Sequence, residues 1–354
     1  MNFKIIFLIF LFIKISFEID DEKVEKRHKR RRELAKKLSF KKQKSEEKEK
    51  KTCSCFRKIL LSSFKKIDNS EFYYEFSNNN LKLLGEGATA KVYHVYSYED
   101  NNCYAAKIFF EKENFEKEKN FYKEFSKLEK EQNLKQKIIH SIKHIDEDKI
   151  IIMEIADMDL QKYIKNKRLN KEQFLNEINL LIFELLLLIK NFHEIAIHLD
   201  LKPSNIMVIR DKLRLSDFGF SKLKNKAEND KTIYYGTFQF MSPELAKNGF
   251  LSQNATKADI WAIGVIIYQI LFGFDQYPYP IMDNIYQQIV FLSGKNSKNT
   301  WNGQINYSNV LEIKKEYHKN NANLIDKIIK IIENCLKQNP LDRLEAYELI
   351  NMLQ

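Results

Sequence analysis

The sequence predicts an α+β fold of two lobes, a small antiparallel β-sheet lobe with one helix followed by a larger, mainly helical lobe. Three observations carry that expectation. Residues 72–110 alternate apolar and polar positions between turn residues, the period-two signature of half-buried strands. A strongly charged stretch at helical spacing, Asn114 to about Gln132, follows them. From Lys171 onward the apolar residues recur in long, dense runs that suit buried helices rather than strands. At 354 residues, 44% hydrophobic and 30% charged, the chain is globular in composition and long enough for a sizeable core.

The two ends differ in charge. Residues 1–70 hold 21 Lys and Arg against 10 Asp and Glu, which leaves 38 of each sign for residues 71–354, so the net +11 sits in the N-terminal tail. Residues 1–19 combine Lys4 with an apolar run from Ile5 to Ile13, the pattern of a secretory signal peptide and shorter than the roughly 20 residues of a membrane span. No small-x-small cleavage site follows, so signal peptide, uncleaved anchor and buried segment stay open. Residues 20–70, densest at Lys29-Arg-Arg-Arg32, are expected as a disordered or helical basic linker. An anionic membrane surface is its candidate partner; no specific nucleic acid is expected, and nothing sets the oligomeric state. Cys53 and Cys55 are plain thiols or acylation sites. Four cysteines are too few for a disulfide framework and fit a reducing compartment, against the signal-like start. Secretory, membrane-associated and cytoplasmic localisation therefore all remain open.

Residues 71–354 read as one unit, 71–155 forming the first lobe and 156–354 the second. Its strands are expected at Leu81 to Leu84, Lys91 to Tyr98 and Asn102 to Phe110. Gly85 and Gly87 sit in the first hairpin, where absent side chains let backbone N–H groups approach an anion. Lys107 lies among apolar neighbours in the third strand, and a buried ammonium needs an anionic partner. Ile150 to Ile155 reads as a strand buried on both faces, Ala156 to Leu160 as a connector, and Lys171 to Phe192 as a buried helix. Ile206 to Ile209 and Leu213 to Leu215 form a hairpin. A long span without periodicity starts at Phe220 and closes at Gly236-Thr-Phe-Gln-Phe-Met-Ser-Pro-Glu244; a loop that long in a compact domain is normally functional. Lys257 to Tyr268 is a hydrophobic helix with Asp259 at its start, expected to accept backbone N–H groups of the loop at 198–205. Helices around Ile281 to Leu292, Ala322 to Leu336 and Leu344 to Met352 finish the chain.

The chemistry concentrates in His198-Leu-Asp-Leu-Lys-Pro-Ser-Asn205 and Asp217-Phe-Gly219. Asp200 and Asn205 share one loop and Asp217 enters from the far side of the hairpin. A carboxylate and a carboxamide can then hold a hard cation while a second carboxylate stays free. That division suits phosphoryl transfer: Asp200 accepts a hydroxyl proton, Asn205 and Asp217 hold Mg²⁺, and Lys202 neutralises charge on the moving group.

These motifs, in this order, resemble the eukaryotic protein kinase family, over about residues 78 to 353. The one departure in the catalytic loop is Leu199, where the family usually has Arg; in the glycine-rich loop Ala90 replaces the third glycine. The resemblance implies a bilobal protein-kinase-like fold and ATP with Mg²⁺ or Mn²⁺. Its cofactor-binding residues would be Gly85, Glu86, Gly87, Val92, Ala105, Lys107, Met153, Glu154, Ile155 and Asp159, with metal at Asn205 and Asp217. It implies catalytic roles for Asp200, Lys202 and Lys107, and a glutamate on the following helix paired with Lys107. Glu124, 17 residues on and followed by Phe125 and Leu128 on one helical face, is the first choice; Glu118 is the runner-up. It also implies an activation segment ending at Glu244, which is expected to pair with Arg343, and a threonine beside the acceptor site at Thr237. Lys202 and the Gly236-Thr237 to Pro243-Glu244 run match the serine/threonine branch, so protein substrates with Ser or Thr are the implied partners. A pseudokinase scaffold that binds nucleotide or partner proteins is the alternative.

Overall fold

The computed structural model describes residues 64–353, apart from 69, 78–79, 132–137, 168–170, 228–235, 249–254, 295–300, 302 and 307–321. The readings for residues 1–63, including Cys53 and Cys55, fall outside it, as do Thr232, Tyr234 and Tyr235, hydroxyl-bearing residues of the long span that starts at Phe220.

The first lobe runs β1 (Phe64–Lys66), β2 (Phe72–Ser77), β3 (Asn80–Leu81), β4 (Leu83–Glu86), β5 (Ala90–Ser97), β6 (Asn102–Phe109), α1 (Lys112–Glu131), β7 (Ser141–Ile145) and β8 (Ile150–Glu154). One sheet holds the strands in the order β1-β2-β5-β6-β8-β7, with β3 beside β2 and β4 beside β5. The sequence undercounts it. The strand expected at Leu81 to Leu84 is two, because Lys82 changes partners: its N–H donates to the Glu75 carbonyl at 2.8 Å and its carbonyl accepts from the His94 N–H at 2.9 Å. β1 lies inside the stretch expected to be linker, and pairs antiparallel with β2. Just after β1, Ile67 joins Phe72, Val95, Ala106 and Ile152 in an apolar cluster that the charged residues around it concealed.

β8 lies between β6 and β7, and its two faces are covered by different apolar clusters, Ile151 in one and Ile150 and Ile152 in the other, so its burial is continuous. The β6–β8 register sets Lys107 opposite Ile151 and Ala105 opposite Met153. On α1, Phe115, Glu118, Phe121, Tyr122 and Phe125 are buried at three- and four-residue spacing, one face of a helix. Glu118 is the acid on that face.

The second lobe runs β9 (Met158–Asp159), α2 (Leu160–Asn166), α3 (Lys171–Phe192), β10 (Ala196–Ile197), β11 (Ile206–Ile209), β12 (Lys212–Leu215), β13 (Lys222–Leu223), α4 (Lys224–Ala227), α5 (Pro243–Asn248), α6 (Thr256–Phe272), α7 (Ile285–Ser293), α8 (Ala322–Cys335) and α9 (Ala346–Leu353). The span expected to be a connector contains β9 and starts α2. Asp159 caps that helix, its carboxylate accepting the Lys162 N–H at 2.8 Å.

α6 is apolar on all sides and every residue from Lys257 to Leu271 is buried, so it runs through the core rather than along the surface. Its closest neighbour is α8. A Cβ on Gly264 would lie 2.5 Å from Cys335 Cβ and 3.0 Å from Leu336. Cys335 is free and buried. Among the described residues no helix is long and apolar enough to cross a membrane.

Gly264→Ala forces α6 and α8 apart in a packed core, at a cost of about 1–3 kcal/mol. Thermal unfolding should show a Tm at least about 2 °C lower; an unchanged Tm would mean the contact can relax freely.

Candidate active site

Two clusters meet at the ends of the strands described above. The first centres on Lys107. Its Nζ lies 2.6 Å from Glu118 Oε2 and 2.9 Å from Asp217 Oδ1. The side chains of Lys107 and Glu118 are 9% and 1% exposed, so neither charge is met by bulk water. Glu118, not Glu124, is therefore the partner of Lys107. Glu124 lies outside the buried face of α1 and pairs instead with Lys226. The six-residue step from 118 to 124 rotates the side chain by about 240°, away from the lysine.

The electrostatics follow from burial and from these contacts. Burial lowers the affinity of Lys107 for its proton, but the carboxylates of Asp217 and Glu118 outweigh it and the ammonium is held well above its ordinary pKa. Burial raises Glu118 to about 7, with Lys107 opposing and Asp217 adding to the rise. Asp217 goes the other way: burial would raise it, yet Lys107, then Lys202 and His198, hold it down to about 2.

The second cluster is built on the loop from His198 to Asn205. Asp259, at the start of α6, accepts the N–H of His198 at 2.7 Å and of Leu199 at 2.8 Å, and His193 Nε2 lies 3.0 Å from it. This holds Leu199 at φ 67, a left-handed conformation costly for a branched side chain. Asp200 follows and is bound on both oxygens. Oδ1 accepts the N–H and the hydroxyl of Thr237, each at 2.8 Å; Oδ2 lies 2.8 Å from Lys202 Nζ and accepts the Asn205 amide at 3.2 Å. Lys202 also donates to Thr237 Oγ1 at 2.8 Å, closing a ring of three side chains, Asp200, Thr237 and Lys202, to which Asn205 is attached through Asp200. A Cβ on Gly236 would fall 2.9 Å from the Leu199 carbonyl, so Thr237 reaches Asp200 only behind a glycine.

An aromatic stack joins the two clusters. Phe218 lies face to face with Phe121 of α1 at 4.9 Å and with Phe192 of α3 at 6.0 Å, and edge-on to Tyr122 at 5.3 Å. Behind it His198 places Nε2 3.0 Å from the Ser216 carbonyl. This stack and the His193–Asp259 contact went unread in the sequence. The helical spacing of Phe115, Phe121 and Phe125 was the available signal for the first; the second had none.

The other anticipated residues lie around the β6–β8 edge. Ala105 and Met153 are buried, Val92 packs against the same core, and Glu154 accepts the His140 N–H through its carboxylate at 3.0 Å. Gly85 ends a register shift in β4, and a Cβ there would meet nothing within 4 Å. Glu86 pairs with Lys91 across the hairpin at 3.1 Å, and the Gly87 N–H closes the turn on the Ala90 carbonyl at 2.9 Å. Ile155 is half-buried at the end of β8. Far from this edge, Arg343 forms the expected two-pronged bond to Glu244, 2.7 Å on each arm, while fully buried.

A divalent cation with nucleotide phosphates fits these donors. Asn205 gives its amide N–H groups to Asp200, leaving its carbonyl oxygen, and Asp217 keeps a second carboxylate oxygen. Both are hard ligands. Among the described residues no group of three or more His, Cys, Asp or Glu could hold a metal by itself, so a cation here must complete its shell with outside oxygens.

Residues 78–353 match the family model for the protein kinase domain. The chain is 28% identical over 212 residues to "Probable serine/threonine-protein kinase PLK" of Dictyostelium discoideum, covering 59% of this chain and 21% of that protein. It is 25% identical over 285 residues to "Probable serine/threonine-protein kinase mps1" of the same organism, covering 77% and 27%. A 91-residue stretch, 25% of the chain, is 36% identical to "Lectin-domain containing receptor kinase VI.3" of Arabidopsis thaliana and spans 13% of it. The chain thus spans about a quarter or less of each of these relatives.

Because Glu118 is raised above its unfolded value, the folded protein holds an extra proton between about pH 4.5 and 7. Its contribution to stability is present below that window and declines as the pH rises through it. Urea unfolding at a series of pH values should show this slope in the wild type and lose it in Glu118→Gln; parallel curves for the two proteins would contradict the assignment.

Proposed function

The chain belongs to the protein kinase family, and on that premise we propose that it transfers the γ-phosphoryl group of ATP to serine and threonine hydroxyls of proteins. The observation that carries this reading is the convergence of Lys107, Glu118 and Asp217 from three stretches of chain, next to a loop whose Asp200 is bound by Lys202, Asn205 and Thr237. When bound, ATP with Mg²⁺ or Mn²⁺ supplies the phosphoryl group and the cation that neutralises it. Asn205 and Asp217 would hold that cation and Lys107 would meet the phosphates. Gly85, Glu86, Gly87, Val92, Ala105 and Met153 would enclose the nucleotide. Glu154 and Ile155 would offer it backbone groups, and Asp159, already a helix cap, would lie by the ribose.

Asp200 takes the proton of the acceptor hydroxyl at a carboxylate oxygen, and Lys202 offsets the charge that grows beside it. All four hydrogen bonds to Asp200 come from its own chain, so an incoming hydroxyl replaces one of them. The Thr237 hydroxyl on Oδ1 is chemically the same group as the acceptor. The bond between Lys202 and Thr237 supports the serine/threonine branch.

Leu199 bears on control. An arginine before the catalytic aspartate is where the family usually receives an activation-segment phosphate, and leucine cannot make that charge-assisted bond. Here Leu199, Met241, Leu245 and Ala258 are all buried and line one cavity, an apolar setting that would hold the end of the segment without a phosphate.

Asp200→Asn should lower phosphate transfer from radiolabelled ATP to generic protein substrates by at least about 100-fold while nucleotide binding persists. Equal rates in the two proteins would refute the role of Asp200, and binding without transfer in the wild type would favour a pseudokinase. Treating the wild type with a phosphatase should leave its rate unchanged; abolished activity would refute control by packing at Leu199.

A further inference from the structure

α1 carries Glu118, so whatever fixes α1 fixes the ion pair on Lys107. Its inner face is held by the aromatic stack with Phe218, and Lys119 ties it to Asp146 of the first lobe at 3.0 Å. On its outer face Glu124 meets Lys226, whose Nζ lies 2.8 and 2.7 Å from the two carboxylate oxygens. The partners are 102 residues apart in sequence. Lys226 belongs to the segment that follows Asp217-Phe-Gly219, and its base is firmly placed. β13 pairs antiparallel with β10, the Lys224 N–H donates to the Ile195 carbonyl at 2.8 Å, and Leu223 and Ala227 are 4% and 1% exposed.

We propose that the Glu124–Lys226 ion pair is a tether that holds α1 on the segment after Asp217 and so keeps Glu118 seated on Lys107. The pair lies about 9 Å along the helix from Glu118. It joins the first lobe to α4, which directly follows the strand β13 paired with β10 just ahead of the catalytic loop, so it couples the two parts of the site that must act together. It also suits a chain with Leu199. With no cation before Asp200 to gather the segment, the cation sits on the segment and the acid on α1. The tether rests on the kinase reading for its effect on rate, though not for its effect on α1.

The full-length chain tests it through Lys226→Glu, Glu124→Lys and the double reversal. Each single reversal should lower kcat/KM for ATP about twofold to fivefold at low salt, the range exposed ion pairs span. Each should also speed hydrogen exchange in the α1 amides. The double reversal should restore both, and raising salt from about 0.05 M to about 0.5 M should shrink the differences. Single reversals that match the wild type in both readouts, a double reversal no better than the singles, or a single reversal that raises the rate would overturn the tether. A wild type no more active than Asp200→Asn would instead overturn the kinase reading, and the exchange data would still decide the tether.

Discussion

A buried ammonium constrains everything else in this molecule. Lys107 sits in a strand with apolar neighbours, and stripping one side chain from such a buried pair leaves a charge uncompensated at a cost of about 3–5 kcal/mol. Its two carboxylates come from α1 and from the loop after β12, so the lysine stays neutralised only while three elements hold their positions. The burial that makes the charge expensive also makes it informative. A lysine on the surface could take any acid in reach, whereas this one accepts only those delivered to it by packing.

The delivery depends on one helix in each lobe. In the second lobe α6 passes through the core with Asp259 at its start, and that carboxylate fixes two consecutive backbone N–H groups of the catalytic loop. The positive φ of Leu199 and of Asp217 shows the loops held in conformations that their sequences alone would avoid, the kind of strain that a rigid surround sustains. In the first lobe α1 answers with Glu118 and Phe121, the first on Lys107 and the second against Phe218. Charge and ring stacking thus act on the same helix, one setting where it points and the other how far it lies from the catalytic loop.

Much of this was legible from residue order. Asp200, Asn205 and Asp217 sit in short loops whose residue types and spacing specify their chemistry, and Asp259 and the Glu244–Arg343 pair followed from single charges in apolar or motif settings. What could not be read was choice among equals. α1 contains several glutamates, and the neighbours of Glu124 look as apolar as those of Glu118 until the stack on Phe218 sets which face turns inward. β1 failed for a different reason: three residues beside a charged stretch have no periodicity of their own, and only pairing with β2 makes them a strand. The ring of hydrogen bonds on Asp200 was hidden too, since Thr237 is 37 residues away and reaches it through a close approach that only Gly236 permits.

The most direct measurement is a double-mutant cycle on Lys107 and Glu118, with Lys107→Met, Glu118→Gln and the double variant titrated with Mg²⁺-ATP by calorimetry. If the lysine is held for the nucleotide by that glutamate, the two changes should be coupled by about 1 kcal/mol or more, the double variant binding little worse than the poorer single one. Strictly additive losses would contradict it, because the two side chains would then meet the nucleotide independently.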